Sequence, residues 1–305
     1  MKNRITSFML SLTIIFGMVP ITACNPVTGD GTSISDTDVG YITIKGMEYS
    51  TSLTELSLND RDVDDEDIIP LKHMTNLTTL WLFRNQISDL TPLAGLNHLE
   101  VLYLSDNQIS DLTPLAGLTN LKRLELARNQ ISDLTPLVSL ASLKDLRIGT
   151  NQIVDVTPIS SLTNLTDLWL FRNQINDLTP LSSLTNLSRL ILDENQISDL
   201  SPLASLTSLG QLSLESNQVS DLSPLSGLVN MDSLSLNSNQ ISDLAPLSEL
   251  TKLDGLSLAD NQINDVTPLY SLTNLEWLNL SGNNLTKKQI KNLKAKLPHC
   301  FNIEF

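Results

Sequence analysis

From Leu77 the chain reads LTTLWLFRNQISDLTPLAGLNH, and at Leu99, twenty-two residues on, the same phrase begins again. Its asparagine recurs at Asn85, Asn107, Asn129, Asn151, Asn173, Asn195, Asn217, Asn239, Asn261 and Asn283, with no insertion to break the step. A period this regular makes the copy the structural unit and confines the chain to architectures in which like units stack.

The spacing inside one copy sets its shape. Leu80 and Leu82 alternate with Trp81 and Phe83, so period two places the leucines on one face of a short strand and the aromatics on the other. Asn85 stands where the chain leaves that strand, and a polar residue among so much leucine must hydrogen-bond backbone groups that a turn leaves unpaired. Ile87, Leu90, Leu93 and Leu96 point back inward, and Thr91 before Pro92 fits a cap followed by the first position of a helical turn. One narrow apolar edge cannot bury a core alone, so each copy must cover its neighbour's leucines. Eleven strands about 4.8 Å apart then make a parallel sheet on the order of 50 Å long. The wider coil on the other side bends the stack into an arc.

The phrase L-x-x-L-x-L-x-x-N-x-I-x-D-L-x-P-L, running from Leu53 to about Thr286, resembles the leucine-rich repeat of the bacterial internalin type. The resemblance implies an α/β solenoid: a right-handed arc with a parallel β-sheet on the concave face and short 3₁₀ or helical turns on the convex face. It also implies binding to other macromolecules, without naming the partner, because such repeats are general-purpose scaffolds.

Ahead of the repeats, Lys2 and Arg4 precede an apolar run from Ile5 to Ile21, the pattern of a secretory signal over residues 1–23. Ile21-Thr22-Ala23-Cys24 resembles the bacterial lipobox, which would make Cys24 an acylated N-terminal residue on an extracytoplasmic membrane face. A plain signal peptide with an incidental cysteine, or an uncleaved anchor, is the alternative. Residues 24–40 read as a flexible tether, since Asp30, Asp36 and Asp38 lack the glycine and glutamate of a calcium loop. Residues 41–52 alternate around Lys45-Gly46 as a capping hairpin, residues 53–285 hold about eleven repeats, and residues 286–305 form a closing helix and strand. In that last segment Thr286 and Gln289 make a capping box before Ile290, Leu293 and Leu297, Pro298 ends the helix, and FNIEF alternates as a strand. The first repeat departs from pattern: Arg61 stands where asparagine is expected, and the copy is two residues longer.

Carboxylates recur as well. Asp89, Asp111, Asp133, Asp155, Asp177, Asp199, Asp221, Asp243 and Asp265 hold one position of the period, each just before a turn whose N–H groups it can accept; cation binding along the column is the alternative. Asp60 to Asp67 is an acidic stretch without the glycine and glutamate of a calcium loop, and reads as solvated. The five lysines Lys287, Lys288, Lys291, Lys294 and Lys296 make the C-terminal helix basic, with a solvated face preferred over a contact with anionic lipid or polymer.

The net charge is −15, and loss of residues 1–23 removes Lys2 and Arg4 and no acid, which leaves −17; nucleic acid is a poor partner for that field. His73, His98 and His299 have no metal-ligand spacing, and no nucleophile elbow or phosphate-cradling glycine loop occurs, so the sequence supports neither an enzyme nor a cofactor. With Cys24 acylated, Cys300 has no mate in the chain and reads as a small buried residue of the cap.

The outward strand positions carry the functional information. One column runs Ser57, Trp81, Tyr103, Glu125, Arg147, Trp169, Ile191, Ser213, Ser235, Ser257, Asn279, and the next runs Asn59, Phe83, Ser105, Ala127, Gly149, Phe171, Asp193, Glu215, Asn237, Ala259, Ser281. Bulk lies in the first half. Of eight arginines, Arg84, Arg123, Arg128, Arg147, Arg172 and Arg189 fall on these strands or at their ends. Together with Trp81, Phe83, Tyr103, Trp169 and Phe171 they form the expected partner-binding patch, because these residue types dominate interface hot spots. WLFRNQI occurs at both Trp81 and Trp169, so block duplication accounts for part of the likeness. The expected partner is a protein bound by a monomer; a glycan stacked on the rings, or a spacer that binds nothing, are the competing readings.

Overall fold

The computed structural model describes residues 40–305. Cys24, the apolar run before it and the tether lie outside the described residues. None of the described helices is long and apolar enough to cross a membrane.

Each copy contributes a three-residue strand, from β3 (Glu55–Ser57) and β4 (Thr79–Trp81) to β13 (Trp277–Asn279). These eleven strands lie side by side in chain order and all pair parallel, and β14 (Asn302–Glu304) adds a twelfth at the C-terminal edge. The period holds the register, so Ser57 pairs with Trp81, Trp81 with Tyr103, and so on down the sheet. Opposite the sheet, each copy closes through a short 3₁₀ turn such as Thr91–Leu93. This is the stacked parallel sheet that the spacing implies and the solenoid that the resemblance implies. Leu80, Leu82, Ile87, Leu90, Leu93, Leu96 and Leu99 are at most 1% exposed, and the same positions in later copies continue one core without interruption.

The strand exit is strained and the asparagine holds it. The residue just before each asparagine has positive φ, from Arg84 at 55° to Asp260 at 53°, and only the last copy places glycine there, Gly282 at 69°. A left-handed non-glycine residue costs about 1 kcal/mol or more. Asn173 shows the compensation: its Nδ2 donates to the Leu170 carbonyl at 3.0 Å and to the Ile148 carbonyl of the preceding coil at 3.2 Å, and its Oδ1 accepts from Ile153 N–H at 3.1 Å. Each asparagine therefore ties its own coil to the one before it. That direction explains Arg61. The first coil has no predecessor to tie, and Asn85 of the second coil accepts from its Arg61 and Val63 N–H groups at 3.3 and 3.0 Å.

The turn is capped by the aspartate column, as its place before the turn implies, and not by Thr91. Thr91 is the first residue of the turn rather than its cap, and its N–H donates to Asp89 Oδ1 at 2.8 Å. The aspartate two residues earlier reaches this N–H without strain, whereas the threonine is already inside the turn. The same bond recurs at Asp111, Asp133, Asp155, Asp177, Asp199, Asp221, Asp243 and Asp265, at 2.8 to 2.9 Å.

At the N-terminal end, β1 (Tyr41–Ile44) and β2 (Met47–Ser50) form an antiparallel hairpin whose Ile42 and Ile44 join the core. In the stretch from Asp60 to Asp67, Asp60, Asp62, Asp64 and Glu66 are exposed as a solvated segment would be, but the segment is not a plain loop. It contains the one-turn helix α1 (Asp65–Ile68), capped by a reciprocal Asp64–Asp67 box, and two of its acids are held on local donors: Asp65 accepts from the N–H groups of Ser88 and Asp89, and Asp67 pairs with Lys45 at 2.7 Å. At the other end α2 (Lys287–Lys296) begins with the Thr286–Gln289 box and buries Leu293 and Leu297, and Ile290 is half-buried. In β14 only Ile303 packs on the core; Phe301 and Phe305 remain outside.

Candidate binding surface on the concave face

Outward positions two residues apart on one strand, and in register across neighbouring strands, put the large residues of the first half into one connected layer. Trp81 and Tyr103 lie on adjacent strands with ring centroids 6.0 Å apart and planes 7° from parallel. Arg123 Nη1 donates to the Tyr103 hydroxyl at 3.3 Å, and its Nε reaches Asp145 at 2.9 Å. Asp145, only 6% exposed, takes Arg147 Nε on its other oxygen at 3.0 Å. Arg147 also pairs with Glu125 at 3.2 Å and places its guanidinium 4.8 Å from the centre of the Trp169 ring. An unbroken series of contacts thus runs from Trp81 to Trp169 across five strands.

The neighbouring positions are engaged as well. Phe171 lies over Gly149, close enough that a Cβ there would stand 2.4 Å from its ring. Arg189 pairs with Asp167 at 3.1 Å and donates to Gln211 at 2.7 Å. At the strand exits Arg172 meets Glu194 at 2.7 Å, while Arg84 and Arg128 approach Asp60 and Asp106 at 3.7 Å. Phe83 is half-buried beside Asn59, whose Oδ1 accepts the Phe83 N–H at 3.0 Å.

Two features of this layer depart from the reading of the columns. The aromatics are half-buried instead of standing free, because each strand lies close enough to its neighbour for rings and guanidinium groups to cover one another. The arginines are matched by carboxylates, among them Asp145 and Asp167, which sit two residues before Arg147 and Trp169 on the same outward face. Stepping twenty-two residues from Arg123 reaches Asp145, Asp167 and then Arg189, so the same period already contained this signal.

Burial pushes the Glu125 carboxyl above its ordinary range, against the pull of Arg147. The serine-rich half is different in kind: Ser235 is 9% and Ser257 1% exposed, so little of either hydroxyl is offered to a partner.

No group of three or more His, Cys, Asp or Glu side chains among the described residues is placed to hold a metal ion. His73, His98 and His299 are all exposed, and His98 Nδ1 lies 2.9 Å from the Thr75 carbonyl. Burial pushes the Cys300 thiol up to about 11, which keeps it protonated and unreactive at neutral pH.

Family comparison matches the pattern described as Leucine Rich repeats (2 copies) to residues 51–95, 97–139, 141–183, 185–227, 207–249 and 229–271, and a single Leucine Rich Repeat to residues 274–295. The comparison with curated proteins finds no match. Among solved structures, an internalin (inlF) from Listeria monocytogenes is 34% identical over 84% of this chain and 82% of its own, with a TM-score of 0.72. An internalin C2 from the same organism is 40% identical over 65% of this chain and 86% of its own, with a TM-score of 0.58. A leucine-rich-repeat protein of Leptospira interrogans, 24% identical over 78% of this chain and 74% of its own, shares the fold with a TM-score of 0.60.

Proposed function

The chain belongs to the internalin-type leucine-rich-repeat proteins, and from that premise we propose that it is a non-enzymatic recognition protein of the bacterial envelope. It binds a protein partner through the first half of its concave face. The observation that carries this reading is the continuous layer from Trp81 to Trp169. Aromatic and arginine side chains are the usual anchors of protein interfaces, and here they are held in place before any partner arrives. Arg147 is fixed by Asp145, Glu125 and the Trp169 ring, so little side-chain freedom is left to lose on binding.

A sugar ligand would need free ring faces. Trp81 and Tyr103 face each other and Arg147 covers Trp169, which favours a protein over a glycan. The paired carboxylates neutralise the arginines locally, so the patch suits a mixed polar and aromatic surface better than a polyanion.

Display on the membrane is part of the same proposal and rests on Lys2, Arg4, the apolar run and Cys24. Cys24→Ser should abolish labelling by radioactive palmitate and move the protein to the aqueous phase of a detergent partition. A serine variant that still labels would remove the anchor. For recognition, immobilised residues 40–305 should capture a protein from envelope or host extracts that free oligosaccharides do not displace. Displacement by oligosaccharide would give the face to a glycan.

A further inference from the structure

The C-terminal end of the stack carries charge opposite in sign to the body above it. Between Asp193 and Thr286 the chain has twelve acids against Lys252 alone, and then α2 brings five lysines in ten residues. Lys287, Lys291 and Lys294 stand at i, i+4 and i+7, one row along the helix, with Lys288 and Lys296 further round its exposed side. All five are exposed, and none forms an ion pair among the described residues.

Two rings accompany the row. Phe301 is 64% and Phe305 38% exposed, and Lys294 Nζ lies 5.2 Å from the centre of the Phe305 ring. Lys294, Leu297, Pro298, Phe301 and Ile303 line an open cavity of about 310 Å³ beside them. Solvation accounts for the lysines but not for Phe301, which stands largely in water next to them, with Phe305 partly exposed under Lys294. Unpaired ammonium groups beside exposed aromatic rings make a surface suited to the headgroup layer of an anionic bilayer. There the ammoniums meet phosphates and the rings enter the acyl boundary. An acidic protein would satisfy the lysines through charge alone and leave the rings without a role.

We propose that the C-terminal cap, through Lys287, Lys291, Lys294, Phe301 and Phe305, is a contact surface for anionic phospholipid bilayers. α2 and β14 close the stack beyond the last coil, so this contact leaves the layer between Trp81 and Trp169 open to a partner.

Residues 40–305 hold the whole continuous core and both end caps, and so serve as the test protein without the N-terminal apolar run. They should sediment with vesicles of equal parts phosphatidylglycerol and phosphatidylcholine, stay in solution with phosphatidylcholine alone, and be released by about 0.5 M salt. The triple change Lys287→Gln, Lys291→Gln, Lys294→Gln should lower the partition coefficient at least tenfold, and Phe301→Ser severalfold, both with unchanged melting because these side chains are exposed. As a second measurement, a tryptophan at position 301 (Phe301→Trp) should be quenched by brominated lipid only in the phosphatidylglycerol vesicles. Failure to sediment with those vesicles, or a triple variant that sediments like the parent, overturns the proposal. Retention on polyglutamate with no vesicle binding would assign the lysines to an acidic protein and overturn it equally.

Discussion

Asp193 and Asn237 occupy the same place on the concave face two coils apart and make the same pair of bonds. Asp193 Oδ1 accepts from the Ser213 hydroxyl and, at 2.8 Å, from the Glu215 N–H. Asn237 Oδ1 accepts from the Ser257 hydroxyl and, at 2.8 Å, from the Ala259 N–H. Each ties its strand to the next one, in the direction opposite to the main asparagine column. An uncharged amide thus does at 237 what a carboxylate does at 193, and the charge at 193 is unneeded for the bond.

That charge has a consequence for stability. Burial pushes the Asp193 carboxyl up to about 6, with Glu215 and Glu194 acting in the same direction and the Ser213 and Glu215 bonds opposing. A carboxyl raised in the folded state contributes stability that is full below the ordinary aspartate range and is lost as pH rises through about 6. Asp193→Asn should therefore raise the stability at pH 7.5 by roughly 1–3 kcal/mol, read from urea unfolding, and flatten the decline between about pH 4 and 6. A parent-like pH profile in the variant would show that Asp193 ionises without penalty.

The convex aspartates act with the opposite sign. At Asp111, Asp133, Asp155, Asp177, Asp199 and Asp221 the hydroxyl and N–H of the threonine or serine two residues on hold the carboxyl below its ordinary range. Their contribution is present above the unfolded aspartate value of about 4 and is lost as pH falls through the lowered folded values. Together with Asp193 and Glu125 this places the melting maximum near pH 5, with a decline on both sides, measurable by thermal scans from about pH 3 to 8.

Asn173→Leu should be among the most damaging single changes. It strands the buried Ile153 N–H, at roughly 1–3 kcal/mol for a group left without a partner, and removes one of the two donors to each of the Leu170 and Ile148 carbonyls, which keep their bonds from Asn195 and Asn151. Asn283 makes the corresponding bonds, accepting from Ile263 N–H and donating to the carbonyls of Leu258 and Leu280. It is more exposed than Asn173, so water can replace part of what it provides, and Asn283→Leu should lower the melting temperature less. Equal and negligible shifts at both positions would mean that the column does not hold the coils together.

Period, strand polarity, both end caps and the inward leucines were legible because each follows from one residue's repetition at a fixed offset. The direction in which Asn173 reaches, back to Ile148 and Ile153, was not, since a backbone bond to a neighbouring coil leaves no mark on side-chain spacing. The capping role of Asp89 was legible from its place before the turn, but spacing alone does not separate it from Thr91, a common cap residue only two positions on. At the candidate site the aromatic and arginine positions were legible, but their partners Asp145 and Asp167 were not. Those carboxylates lie two residues earlier on the same outward face, in the third column that also holds Arg123 and Arg189, and spacing alone does not say which arginine each carboxylate meets.

Gly149→Ala tests the packing of the site without altering any residue that a partner would touch through its side chain. The new Cβ would stand 2.4 to 2.6 Å from three atoms of the Phe171 ring, so the ring must swing aside. Stability should fall only slightly, because the atoms in the way all belong to the half-buried Phe171 ring, which lies outside the core and can turn outward. Partner affinity should fall as well, because Phe171 no longer lies in the layer. Unchanged affinity, measured by titration calorimetry, would show that the placement of Phe171 is irrelevant to recognition.

The most direct test of the concave face compares its two halves. Trp169 packs under the Arg147 guanidinium, and its ring N–H has no hydrogen-bond partner among the described residues, so removal of the ring strands no acceptor. Phe171 likewise stands outside the inward core. Trp169→Ala or Phe171→Ala should therefore cost roughly 2 kcal/mol or more of partner binding, about a thirtyfold rise in Kd, with only a small fall in melting temperature. Ser235 is 9% exposed, and Ser235→Ala should leave affinity within error. Arg147→Lys is the sharper variant: it keeps the charge but loses the planar group that bridges Asp145 and Trp169, so it should weaken binding although the net charge is unchanged. Greater sensitivity at Ser235 than at Trp169, or unfolding of the tryptophan variant, would move the binding site to another part of the molecule.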